Sequence, residues 1–158
     1  MFSKPQYGWT IVSFGNVELG HASYLTDVPI DTMDAFINYL AQNYFIHGFN
    51  ITFDAEEYVF SIIEFDGSLF LLDSKTDEYE PNIKELKNEY LNLPNHESLT
   101  NVIIYLAEEM IKDFENNLQD WIEWEDFDDM TDEERSIRKE TLLSRIKILK
   151  RLIRKHEK

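Results

Sequence analysis

The chain has 158 residues, no cysteine, and 31 Asp and Glu against 15 Lys and Arg, for a formal net charge of −16. That composition excludes a disulfide framework and a thiolate metal site. The charge disfavours binding of nucleic acid by the acidic body, or attachment to an anionic membrane. With 43% hydrophobic and 14% aromatic residues, one folded domain over 1–158 is expected rather than a disordered acidic tail. The N-terminal segment lacks the apolar core of a signal peptide, and no apolar run reaches the ~18 residues of a membrane span. The expected location is cytoplasmic.

In chain order, Trp9–Phe14 alternates like a strand, and Gly15-Asn16 supplies a tight turn into Val17–Leu19. Gly20 marks a bulge before the strand continues through Ala22–Leu25. Asp31 caps an expected helix over roughly 32–45, with Phe36, Ile37, Leu40 and Tyr44 on one face. Gly48 ends it. Three strands follow: Phe49–Phe53, Tyr58–Phe65, and Ser68–Asp73 after the hairpin dipeptide Asp66-Gly67. Pro81, Ile83, Leu86 and Tyr90 predict a short helix ending before Pro94. Ser98 caps a long amphipathic helix whose stripe runs Leu99, Ile103, Leu106, Met110, Phe114, Leu118 and Trp121. Thr131 and Glu134 form a capping box that starts a final helix with Leu142, Ile146, Leu149 and Ile153 on one face. The fold class is α+β: an antiparallel sheet in ββαβββ order with a helix on one face, then a short helix and a C-terminal αα-hairpin turning near 127–130. Residues 1–74 make the β-rich part and 75–158 the helical part.

Charge is split along the chain. Residues 1–134 hold 29 acids and 5 bases, a net of −24, whereas 135–158 hold 10 bases and 2 acids, a net of +8. The stretch 120–134 carries nine carboxylates and no base, with Trp121, Trp124 and Phe127 among them. Asp132, Glu133 and Glu134 are explained by the start of the last helix, whose N-terminus favours negative charge. Asp120, Glu123, Glu125, Asp126, Asp128 and Asp129 are not, because they sit at the end of the preceding helix, where the dipole opposes them. They form the candidate partner-binding site, with Trp124 and Phe127 as anchors; the spacing of Trp121 places it in the core. Charge reversal of Asp126, Asp128 and Asp129 is expected to weaken partner binding and leave the fold intact. The basic C-terminal helix most simply docks on the acidic body; self-association into a homodimer through it is the rival arrangement.

Catalytic and metal patterns are weak. Asp66 with Asp73-Ser74-Lys75 has the residue types of a magnesium nuclease, but the two acids are seven residues apart across a tight turn. Glu18-x-x-His21 is half of a di-iron motif and falls on a strand. Asp126, Asp128 and Asp129 fail the calcium-loop pattern at Thr131, where Gly is required. His21, His47, His96 and His156 show no ligand spacing, and no glycine loop or nucleophile motif is present. No catalytic residue, metal or cofactor is expected.

In overall type, the chain resembles the small acidic immunity proteins of bacterial toxin–immunity systems, including those of contact-dependent inhibition. The features shared over its length are small size, absence of cysteine, α+β character, acidity and an acid–aromatic cluster. The resemblance implies a non-enzymatic protein that binds a cognate basic toxin domain, often a nuclease, one to one and blocks its active site or substrate groove. The alternative function is a DNA mimic that inhibits a nucleic-acid-binding enzyme, with carboxylates spaced like phosphates.

Overall fold

A computed structural model describes residues 1–42, 48–75, 82–87, 98–124 and 130–157. Its fold class is α+β, with two antiparallel sheets and four helices among the described residues. The first sheet pairs β1 (Trp9–Phe14) with β2 (Val17–Ser23). The second has the order β3 (Asn50–Asp54), β4 (Tyr58–Phe65), β5 (Ser68–Lys75), β6 (Asn82–Glu85). Helix α1 (Val28–Leu40) lies between the sheets in sequence; α2 (Leu99–Asn116), α3 (Leu118–Ile122) and α4 (Asp132–His156) follow.

The first sheet carries the expected bulge. Its register changes from Val12↔Gly20 to Ser13↔Glu18, so Leu19 is the extra residue and both Leu19 and Gly20 turn inward. Gly20 has a packing reason as well: a Cβ there would meet the Phe60 ring at 2.9 Å. The two sheets therefore approach at a point where only glycine fits. In the second sheet Ile51 and Phe53 face Ile62 and Phe60 across the ladder, and all four are buried. Against them pack Phe36 of α1, 4.8 Å from Phe49 between ring centroids, and the α2 stripe of Ile103, Leu106, Met110 and Phe114.

Three boundaries differ from expectation. Helix α1 begins at Val28, with Asp27 as its cap accepting the Ile30 N–H at 3.4 Å and Pro29 in the first turn, where a missing N–H costs nothing. Tyr44, expected on the same helix, lies outside the described residues. The segment expected as a short helix instead gives the edge strand β6, paired to Phe70–Asp73 of β5; Pro81 and Tyr90 lie outside the described residues. The long helix breaks at Asn117 (φ −122°, ψ 31°), whose side-chain amide donates to the Asp113 carbonyl at 3.1 Å. Such local competition with the ladder is what makes Asn a weak helix-interior residue.

Helix α4 starts with the expected capping box. Thr131 N–H donates to Glu134 Oε2 at 2.7 Å and Glu134 N–H to Thr131 Oγ1 at 3.2 Å. These bonds favour the charged carboxylate and hold Glu134 below its ordinary value. Its contribution is complete above the unfolded carboxyl's pKa, near ~4.3, and is lost as pH falls through the lower folded value. Thermal melts are expected to show Glu134→Gln less stable than the parent at neutral pH, with the gap closing as pH falls below the ordinary carboxyl range.

The helix buries Leu142, Ile146, Leu149, Leu152 and Ile153 and docks on the acidic body. It contacts α2 through Lys150–Glu115 at 2.6 Å, as a hairpin would, but lies most extensively against α1. Arg138 Nη1 and Nη2 donate to Asp27 Oδ2 and Oδ1 at 3.0 and 3.1 Å. One turn pair on, Arg145 Nε and Nη2 donate to Asp34 Oδ1 and Oδ2 at 2.7 and 3.1 Å, and His156 Nε2 donates to the Leu40 carbonyl at 2.9 Å. The two helices run side by side in the same direction. Hydrogen bonding to Asp34 raises the Arg145 guanidinium above its ordinary value. Asp31, on the outer edge of this seam, is raised by loss of hydration and then by repulsion from Asp27 and Asp34. No helix among the described residues is long and apolar enough to cross a membrane.

Candidate functional site

The first six residues run back along β1. Ser3 N–H donates to the Ile11 carbonyl at 3.0 Å, and Gln6 and Trp9 exchange both backbone bonds at 2.9 and 3.0 Å. Tyr7 and Gly8 form the two-residue turn between them, with φ of +50° and +75°. Two successive positive φ angles define the hairpin turn whose twist matches the strands. Gly8 suits its place twice over, since a Cβ would also meet Tyr24 Cδ1 at 2.9 Å. Tyr7 does not suit its own. An L-residue with a bulky side chain in the left-handed region costs roughly 1 kcal/mol or more, and this ring recovers none of it by burial, being 89% exposed.

Across from the turn stands α3. Lys4, Pro5, Gln6, Tyr7 and Gly8 on one side and Asp120, Glu123 and Trp124 on the other line a cleft of about 380 Å³. Lys4 Nζ lies 3.3 Å from Asp120 Oδ1; Glu123 Oε1 accepts from Gln119 Nε2 at 2.8 Å and faces Arg135 Nε at 3.6 Å. Each acid of the wall therefore has one cation nearby; the Lys4–Asp120 pair is solvent-exposed enough to rearrange around a partner, whereas the Arg135 Nε that faces Glu123 is buried. Beside the turn Tyr24 packs on Gly8, and Leu25, next in sequence, is 54% exposed.

Of the residues expected to bind a partner, Asp120 and Glu123 share this wall. Glu125, Asp126, Phe127, Asp128 and Asp129 lie outside the described residues and follow Trp124 directly in sequence. Trp124 is placed differently from expectation. It is 1% exposed, its ring centroid 5.0 Å from that of Trp121, and its indole N–H donates to the Thr26 carbonyl at 3.3 Å. It is a core residue, and only its edge contributes to the cleft. Trp124 lies just past the end of α3 at Ile122, and its ring packs back onto Trp121. Asp120 also escapes the unfavourable end of the helix dipole. With the helix broken at Asn117, Asp120 falls in the first turn of α3 rather than at a helix end that opposes it.

Tyr7 is the functional candidate that the sequence reading missed; its signal was the Tyr-Gly pair just ahead of a strand. Replacing Tyr7 by Asn, which tolerates the left-handed region, is expected to raise stability by about 0.5–1 kcal/mol in urea unfolding. A loss of stability would show that the ring is held by contacts rather than displayed.

The nuclease-like acids do not converge. Asp66 sits in the β4–β5 turn, whereas Asp73 pairs with Phe60 toward the other end of β5. At ~3.3 Å per residue that separates them by roughly 20 Å, too far to share an ion. Glu18 and His21 lie on β2 with Oε1 and Nε2 3.2 Å apart, both exposed. Among the described residues no three His, Asp or Glu side chains gather as metal ligands. No protein-family model matches the chain, and no curated protein and no solved structure matches it.

Proposed function

We propose that this chain is a non-enzymatic inhibitor of the immunity type, which neutralises a cognate basic toxin domain by covering its active site or substrate groove. The observation that carries the reading is Tyr7. A residue kept in an unfavourable backbone conformation with its ring in solvent fits a role outside the folded monomer, and exposed Tyr is a favoured interface anchor. Beside it, Asp120 and Glu123 begin the run of acids that continues through Asp129 in sequence. In this arrangement Lys4 releases the Asp120 carboxylate to the partner's Lys and Arg. Such exchange gives charge steering during approach and specificity on contact.

The exposed Tyr7 ring at this cleft favours a protein interface over phosphate mimicry, which needs carboxylates without a hydrophobic anchor. The test is co-expression with the product of the neighbouring reading frame. Growth should be rescued by the parent and not by Tyr7→Ala combined with Asp120→Lys and Glu123→Lys. Rescue by that variant rejects the site. Competition with duplex DNA for several unrelated basic proteins would support the mimic instead.

A further inference from the structure

Helix α4 is basic on two sides, and the body of the molecule uses one of them. On the inner side Arg138 and Arg145 meet α1, whose carboxylates Asp27, Asp31 and Asp34 are spaced i, i+4, i+7. On the outer side Lys147, Arg151 and Arg154 repeat that spacing in positive charge; all three are exposed and make no ion pair with the described residues. They line a cleft of about 490 Å³ together with Leu143, Ile146, Ile148 and the Lys150–Glu115 ion pair, whose one carboxylate is neutralised by its lysine. Leu143 and Ile148 are exposed apolar residues beside these cations.

We propose that this outer cleft is a docking groove for an acidic amphipathic helix of a partner protein. From Leu143 to Arg154 the groove is ~16 Å long, three turns of helix, and it offers cations at the spacing at which one helix face presents carboxylates. The molecule already contains this recognition once, in the packing of α1 on the inner face. Three other occupants fit less well. Contact between two copies of α4 would set Lys147, Arg151 and Arg154 against themselves, and each copy carries a net charge of −16. Insertion into a membrane would need the apolar face of α4, which is already buried in the core. Duplex DNA gives Leu143 and Ile148 nothing to pack on.

The experiment uses the full chain and a labelled synthetic peptide of ~18 residues with Glu at i, i+4, i+7 and Leu on the adjoining face. A scrambled peptide of the same composition and a short DNA duplex serve as comparators. Fluorescence anisotropy should show the amphipathic peptide binding at least about tenfold tighter than the scrambled one. Lys147→Gln with Arg151→Gln and Arg154→Gln should lower affinity by about tenfold, and Leu143→Ser by several-fold. Amide shift changes in the unmutated chain should map to Leu143–Arg154. Tyr7→Asn should bind the peptide unchanged, which separates this groove from the Tyr7 cleft. Equal binding of both peptides, shifts mapping elsewhere, or tighter binding of the duplex overturns the proposal.

Discussion

Trp124→Ala is expected to cost about 3–5 kcal/mol of folding stability, the range for removing a fully buried large aromatic. The ring is 1% exposed and packs on Trp121, which in turn meets Phe2 and Phe114 at centroid distances of 5.8 and 4.9 Å. Truncation therefore opens a cavity at one end of an aromatic cluster joining the first strand region to α2 and α3. It also strips the Thr26 carbonyl of its indole donor, adding about 1 kcal/mol or more if that oxygen stays dry. Trp124→Phe keeps most of the volume and isolates the second effect. Urea unfolding at constant m-value is the measurement. A loss under about 1 kcal/mol would mean that the ring is a surface group after all.

The second large effect is expected at Asp27. Its carboxylate caps α1 and receives both terminal nitrogens of Arg138, whose side chain is only 13% exposed, against 31% for Asp27. Asp27→Ala removes a cap worth about 1 kcal/mol and leaves a mostly buried guanidinium without its partner. Breaking a fully buried pair costs about 3–5 kcal/mol. With partial exposure, a total of about 2–4 kcal/mol is expected. Removing the charge from both sides, as Asp27→Asn with Arg138→Met, should recover much of that loss, because the penalty is the unpaired charge rather than the lost attraction. The more open Arg145–Asp34 pair, with side chains 25% and 44% exposed, should cost about 1 kcal/mol or less when broken. Equal losses at the two pairs would contradict the burial argument.

Much of the fold was legible because its signals are local. Asp66-Gly67 fixes a hairpin by backbone chemistry alone, and Thr131 with Glu134 fixes a helix start. The spacing of Leu142, Ile146, Leu149 and Ile153 fixes the buried face of α4. What escaped depends on tertiary pairing. Ile83 and Leu86 are three apart, as in a helix, yet Asn82–Glu85 gains its ladder from β5, which no local pattern announces. The apolar rhythm from Phe114 to Trp121 runs across Asn117 without a break, so the end of α2 was invisible to periodicity. The candidate site divides in the same way. Acid density pointed to Asp120 and Glu123, but the aromatic beside them is Tyr7, brought there from the other end of the chain. Trp124, chosen for its acidic neighbours, went inward because burying so large an aromatic ring outweighs the pull of neighbouring charge.

Under the proposed function, Tyr7 and the Asp120–Glu123 wall form one partner-binding surface. The direct measurement is calorimetric titration of the neighbouring reading frame's product into the parent chain, Tyr7→Asn, and Asp120→Lys with Glu123→Lys, each with its unfolding curve. Tyr7→Asn is expected to weaken binding by about 30-fold, the effect of losing an anchor worth ~2 kcal/mol, while the protein itself becomes no less stable. The double charge reversal should weaken binding mainly through faster dissociation. Binding of undiminished affinity by both variants would contradict the account.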